Sequence, residues 1–372
     1  MRPTSLLLAA SSLAAVGVLS GWALLDPGPP PDDAPVAAAL RAARLAGAPL
    51  HAPATFALAE DAYARGLQER RRQELRFRAV RDYSSARRLL DHAAARAGAA
   101  GEVTERRTAR LRRDAVRMVT EAQVVLEGLA GVESRVWLPE ATRRELGRAR
   151  LNAHEAAGLL AAGRPDDATA RASAALVGAR SVRATVFGEV ARFVGDAERA
   201  AWAGWVRETV AWSARTGKAA VVVDKDRHRM VLYEAGRATR TYDIDLGWSP
   251  ARDKLHQGDG ATPEGRYRIS QKKGRGQSRY HRALLLDYPN ASDLEDLAAA
   301  RRAGRVAPGV PAGGLIEIHG EGGRGRDWTD GCVAVTNPEM DDLFRRVEVG
   351  TPVTVVGSLG EGTFSTLARR LR

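Results

Sequence analysis

Gly314-Leu315-Ile316-Glu317-Ile318-His319-Gly320 and Asp327-Trp328-Thr329-Asp330-Gly331-Cys332-Val333-Ala334-Val335 decide how this chain is read. Apolar, β-branched residues lead up to His319 and away from Cys332, so two strands should meet at this pair with a Gly/Arg-rich loop between them. Cys332 is the single cysteine of 372 residues. A thiol with a pKa of ~8.5 is only a few per cent thiolate at neutral pH, so a nucleophilic cysteine needs a base within reach. His319 is the natural base and Cys332 the natural nucleophile. A lone cysteine is more often a small buried hydrophobe, but Gly331 directly before it and its position at a loop-to-strand junction favour the reactive reading.

These residues resemble the signature of the L,D-transpeptidase catalytic domain (YkuD-like) family: His-Gly, a loop, then Ser/Thr-His-Gly-Cys and a hydrophobic residue. Here the matching positions are His319-Gly320, Thr329, Gly331, Cys332 and Val333. Asp330 stands where many members have a second histidine, and Ala334 where many have Arg or Asn. The form Asp-Trp-Thr-x-Gly-Cys looks like a variant branch. The resemblance covers roughly Lys218 to Gly357. Ala219–Asp224 and Arg229–Glu234 read as opening strands, and Gln257-Gly258-Asp259-Gly260-x-Thr262-Pro263-Glu264-Gly265-x-Tyr267 is similar to a second family block. Leu284–Asp293, containing Tyr288 and Asn290, is similar to a third, read as a strand leading to a substrate-side loop. The resemblance implies that Cys332 attacks a stem-peptide carbonyl to give a thioester, with His319 as general base and acid. It also implies an oxyanion hole or loop orientation from Asp330 and Gly331, substrate contacts from Tyr288, Asn290, Gly320, Trp328 and Thr329, and susceptibility to carbapenems.

Chain order separates this reading from other thiol enzymes. Papain-like and NlpC-like peptidases place the Cys before the His. Sortases share the present order but use a downstream arginine on a strand, whereas Arg345 and Arg346 continue Asn337-Pro338-Glu339, which reads as a capped helix. No metal site is expected, because the histidines are scattered and there is no second cysteine. His228, His256 and His281 read mainly as structural. No cofactor is expected either.

The net charge is +12 and the pI about 10.4. Nucleic acid is not the expected partner, since no reader motif occurs and aromatic residues make up only 5% of the chain. Attraction to a carboxylate-rich wall or an anionic membrane surface accounts for the balance more simply. The run from Pro3 to Leu25 carries no charge and ends at an Asp/Pro-rich segment, which reads as an export signal, either cleaved or retained as an inner-membrane anchor. The expected location is therefore the periplasm or cell envelope. No cysteine lies nearby for lipidation.

The expected architecture is a signal peptide or anchor (1–25), a Pro-rich linker (26–34), an all-α helical-hairpin region (35–215), a mainly-β L,D-transpeptidase-like catalytic domain (216–357) and a basic C-terminal tail (358–372). The helical region is rich in Ala, Arg and Glu. Leu111, Ala115, Met118, Ala122, Val125 and Leu129 form one apolar seam, and the segments after Ala52 and after Leu138 resemble a weak repeat of antiparallel helix pairs. This region is expected to be a spacer or to dock an envelope protein, and a fragment beginning near Thr216 to fold alone. Three functions follow: peptidoglycan L,D-transpeptidase, a wall L,D-carboxypeptidase or amidase using the same Cys–His site, or a non-catalytic wall-binding scaffold.

Overall fold

The computed structural model describes residues 28–372, so the expected export segment lies outside the described residues. Two compact units are present: residues up to Arg117 with Gly163–Asp166, and Met118–Ala162 with Asp167–Arg372. In the first, α1 (Ala34–Leu45), a single-turn α2 (Ala48–His51) and α3 (Pro53–Glu74) pack with the first part of α4 (Ser84–Gly128). Phe56, Ala59 and Ala62 of α3 meet Leu90, Ala93 and Ala97 of α4. Small side chains let the two axes approach closely: a Cβ at Gly66 would lie 2.9 Å from a Leu90 methyl.

The second unit holds the rest of α4 together with α5 (Glu140–Ala161), α6 (Pro165–Val190) and α7 (Asp196–Thr216). The expected seam is present, with Ala115, Ala122 and Leu129 fully buried. α5 and α6 run antiparallel, as Gly178 lies against Ala149 and Arg171 pairs with Glu155.

A curled mixed sheet follows, with strands in the order β3-β2-β1-β8-β4-β5-β6-β7. They are β1 (Ala219–Asp224), β2 (Arg229–Glu234), β3 (Arg237–Asp243), β4 (Gly265–Lys273), β5 (Ala283–Leu286), β6 (Glu317–His319), β7 (Val333–Ala334) and β8 (Pro352–Val356). β1 pairs β8 in parallel and β6 pairs β7 in parallel; the other pairs are antiparallel. A bulge in β4 between Ile269 and Gln271 bends the sheet. Bridges Asp245↔Ala334 and Gly247↔Thr329 then join the chain leaving β3 to the β7 edge. The curl encloses Val221, Leu232, Tyr267, Ile269 and Ile318, with Met340 and Leu343 of α9 (Asn337–Arg346) closing the core. One further helix, α8 (Ala291–Arg302), caps a small cluster around Leu297 and Val306.

The outer face of the two central strands β1 and β8 is not solvated. β1 and β8 are near-continuous apolar runs, the pattern of strands buried on both faces. Their outer side is covered by α7, whose Thr209 hydroxyl meets that of Thr354 at 2.6 Å, and by α10 (Thr363–Leu371). Phe364 and Leu367 of α10 are buried with Phe193, Trp202 and Val356. Residues 358–372, expected as a basic tail, are therefore a packed element: Phe364, Leu367 and Leu371 form an apolar stripe, and the Arg369 and Arg370 that suggested a tail occupy its outer side. Asp226 accepts from the Phe364 and Ser365 backbone N–H groups and so holds the start of α10. The helical layer is also joined to the sheet domain through charge. Arg192, just after α6, pairs with Glu264, whose other oxygen accepts from the fully buried Lys225 at 3.0 Å. The inner core of the sheet lies wholly after residue 218, while the helices after Met118 share a second apolar cluster with Ala251, Val356 and α10 across the expected division near residue 216.

Candidate active site

Parallel pairing of β6 and β7 sets Ile318 opposite Val333 and His319 opposite Ala334, which places Cys332 at the mouth of β7 beside the strand that carries His319. The imidazole is fully buried. Its Nδ1 lies 2.6 Å from the Gly320 carbonyl oxygen. A carbonyl can only accept, so Nδ1 carries the proton and Nε2 presents its lone pair. Among the described residues Nε2 is buried without a hydrogen-bond partner. The Cys332 thiol donates instead to the Leu315 carbonyl at 3.6 Å, and Leu315 holds that carbonyl in place from a left-handed conformation, φ 57°.

Electrostatics keep this resting pair neutral. Burial pushes the Cys332 thiol up to about 11, with a hydrogen bond from the Glu317 backbone only partly opposing it. Burial also lowers His319, against the hydrogen bond to Gly320, which favours its charged form. Uncharged thiol and uncharged imidazole is the arrangement of a general base awaiting a substrate, rather than of a preformed ion pair.

The nucleophile loop is held by several short contacts. The Thr329 hydroxyl donates to the Cys332 carbonyl at 2.7 Å and accepts from the Gly331 N–H at 3.2 Å. Asp327 accepts from Leu246 N–H at 2.8 Å and pairs with His228 at 2.9 Å. Burial alone would depress His228, but that carboxylate raises it above its ordinary value. Asp245 accepts from the Trp328 indole N–H at 3.2 Å and the Arg324 N–H at 2.9 Å. Gly331 has no substitute here: its φ is 127°, and a Cβ would lie 2.6 Å from the Ala261 carbonyl oxygen. Ala261 belongs to the Gly-Asp-Gly block, in which Asp259 accepts from the Leu255, His256 and Ala261 N–H groups and pairs with Lys254. Thr262 receives the Gly247 N–H at 3.0 Å. That block shapes the turn on which the nucleophile loop rests.

Two aromatic rings enclose the imidazole. Tyr280 stacks on it with centroids 3.7 Å apart and planes 8° from parallel, while Trp328 meets it edge-on at 5.9 Å. Trp328 thus forms a wall beside the imidazole. Tyr280 was not expected: it lies in the Ser/Arg-rich connection between β4 and β5, which has no periodicity to mark it.

The other sequence candidates divide. Gly320 contributes its carbonyl, and a Cβ there would collide with Asn337 and His281. Thr329 is buried and orients the loop. Tyr288 belongs to the core instead: it is buried, donates to the Ala312 carbonyl at 3.0 Å and packs edge-on to Tyr267. Asn290 caps α8, accepting from Ser292 N–H at 2.9 Å. Neither contacts the Cys–His pair in the structure, because the chain after β5 turns into a helix and not into the cleft. The Asp330 carboxylate is exposed and, among the described residues, makes no hydrogen bond or ion pair; Thr329 and Asp327 make the side-chain contacts that hold the loop. Among the described residues no His/Cys/Asp/Glu cluster could hold a metal. His256 contacts the Gln257 carbonyl and His281 pairs with Asp341.

A curled mixed sheet presenting one thiol beside one neutral imidazole defines a narrow class of site. Residues 218–355 match the model of the L,D-transpeptidase catalytic domain family. No curated protein matches the chain significantly. Similar solved structures include the avibactam carbamoyl-enzyme of Ldtfm (21% identity, TM-score 0.26, 38% of this chain and 49% of that one). An L,D-transpeptidase from Xylanimonas cellulosilytica gives 17% identity and a TM-score of 0.26 over 37% and 60% of the two chains. Mycobacterium tuberculosis L,D-transpeptidase 1 gives 17% and 0.24 over 38% and 62%. This chain thus spans about half to three-fifths of those chains.

Proposed function

We propose that this protein is a peptidoglycan L,D-transpeptidase working through a thioester on Cys332. The observation that carries the reading is the buried, unpartnered Nε2 of His319 on the strand next to the single thiol. His319 Nε2 takes the thiol proton as sulfur attacks the carbonyl of the diamino acid that precedes a terminal D-residue. The C–S bond forms, the amide C–N bond breaks, and the imidazolium returns the proton to the departing amine. An acceptor amine then attacks the thioester, passing its proton to His319, and the thiol is regenerated. The Gly331 N–H is committed to Thr329, so the N–H groups of Asp330 and Cys332 are the donors proposed for the oxyanion. A stem amine as acceptor gives a 3–3 crosslink, and a protein lysine gives anchoring to the wall.

Water as acceptor gives the carboxypeptidase reading. Ala334 favours it to this extent: the position is buried, its main chain bridges Asp245, and it offers no polar side chain to a substrate carboxylate. Incubation of the purified protein with tetrapeptide muropeptides and mass analysis of the products tests both. Crosslinked dimers support the transferase, tripeptide alone supports the hydrolase, and unchanged substrate contradicts both. On sequence grounds the enzyme acts outside the cytoplasmic membrane, and the first helical unit is proposed to serve as a spacer or to dock an envelope partner.

A further inference from the structure

We infer that the second unit carries an accessory site for a zwitterionic, carboxylate-bearing peptide segment of the wall polymer, apart from the segment being cleaved. The assignment of substrate class rests on the transpeptidase reading; the site itself rests on a cavity of about 950 Å³. That volume falls within the roughly 300–1,000 Å³ of small-ligand sites. The cavity is walled by the loop before α5, by the turn between β1 and β2, and by residues 323–327 of the loop that leads to Cys332. Arg135, Arg227 and Arg229 also line a neighbouring hollow of about 470 Å³, so together the two give an elongated groove suited to an extended chain.

The charges in this groove are poorly committed. Among the described residues the side chains of Arg135 and Arg326 make no hydrogen bond or ion pair. Arg229 has one long pair, 3.6 Å, to Asp243, whose side chain is 90% exposed. Free guanidinium groups are planar forks matched to carboxylates, and the exposed Asp243 beside them matches an ammonium. A polyphosphate-type wall polymer carries anions alone and would meet Asp243 and Glu133 unfavourably; a peptide carrying both an amine and carboxylates meets both signs. Trp137, 37% exposed and 5.2 Å from Trp248 between ring centroids, adds an apolar wall. The groove also reaches the chemistry from behind. Asp327 lines it and immediately precedes Trp328, which lies against His319. An occupant would hold the nucleophile loop with binding energy remote from the reacting bond.

The test uses the full chain carrying Cys332→Ser, which forms no thioester, titrated calorimetrically with a soluble disaccharide tetrapeptide bearing free carboxylates and a free side-chain amine. Adding Arg135→Glu or Arg326→Glu is expected to weaken binding about tenfold or more, as is amidation of the probe's carboxylates. Unchanged melting curves would exclude loss of fold as the cause. Titrations indifferent to charge reversal and to amidation, or no binding at all, would overturn the site. Tighter binding of polyglycerol phosphate than of the tetrapeptide would overturn the ligand class. Because the nucleophile is absent, failure of the wild type to turn over muropeptides would count against the transpeptidase reading and leave this result standing.

Discussion

The Cys332 thiol rests protonated, held up to about 11 by burial, beside an imidazole that burial keeps neutral. In the absence of substrate, alkylation of Cys332 by iodoacetamide is therefore expected to accelerate about tenfold per pH unit from pH 7 to 10. A rate that plateaus between pH 6 and 8 would reveal a thiolate–imidazolium pair and contradict the neutral resting state. His319→Gln is expected to slow acylation by about 10²–10⁴-fold, the usual range for loss of a general base, with partial recovery at high pH. A loss that stays the same at every pH would assign the proton to another group. Gly331→Ala forces a side chain onto the Ala261 carbonyl at a positive φ; acylation is expected to fall sharply while the melting temperature changes little, and normal acylation would show that the turn is more pliable than drawn. The reacting pair was readable from sequence because both residues lie in one motif. Tyr280 and the Asp245–Trp328 bond were not, because they join segments distant in the chain that share no pattern. The placement of Tyr288 in the core was not legible either, because a run such as Leu284-Leu285-Leu286-Asp287-Tyr288 alternates equally well toward a cleft or toward a core.

At the level of elements, the sheet depends on its helical cover. Trp202 of α7 is 3% exposed and rests on Gly357; Trp202→Ala is expected to cost about 3–5 kcal/mol, measured by denaturant unfolding. A fragment beginning near Thr216 would expose Phe364, Leu367 and Val356 and strip Arg192 from Glu264. It is expected to aggregate or melt without cooperativity, whereas a fragment beginning near Met118 should unfold as one unit. Independent folding of the shorter piece would contradict the dependence of the sheet on its helical cover. The sequence suggested a separable β domain because its strands are distinct in composition, while α6 and α7 are weakly amphipathic and their aromatic contacts are long-range. The junction also has a pH signature. Burial and the Glu264 carboxylate raise Asp253 from 3.8 to about 7, so the folded state binds this proton more tightly than the unfolded chain. The stability it confers is full below the unfolded value and is lost as pH rises through about 7. Asp253→Asn keeps an acceptor for the Glu264 N–H and is expected to flatten the thermal-stability slope between pH 4 and 7; an unchanged slope would exclude Asp253 as its source.

Within the second unit, the curled sheet and the arginine-lined groove meet at the loop between His319 and Cys332, through which wall recognition is proposed to act on the thiol. The general outline, helices followed by a sheet domain that matches the L,D-transpeptidase catalytic domain model, could be read from composition and motif order. The layering could not, since it depends on which apolar faces meet. Intact-protein mass spectrometry of the full chain after exposure to a carbapenem tests the central claim most directly. The account predicts a single added acyl mass that peptide mapping places on Cys332 and that Cys332→Ser abolishes. An unmodified wild type, or an adduct that persists in Cys332→Ser, would contradict it.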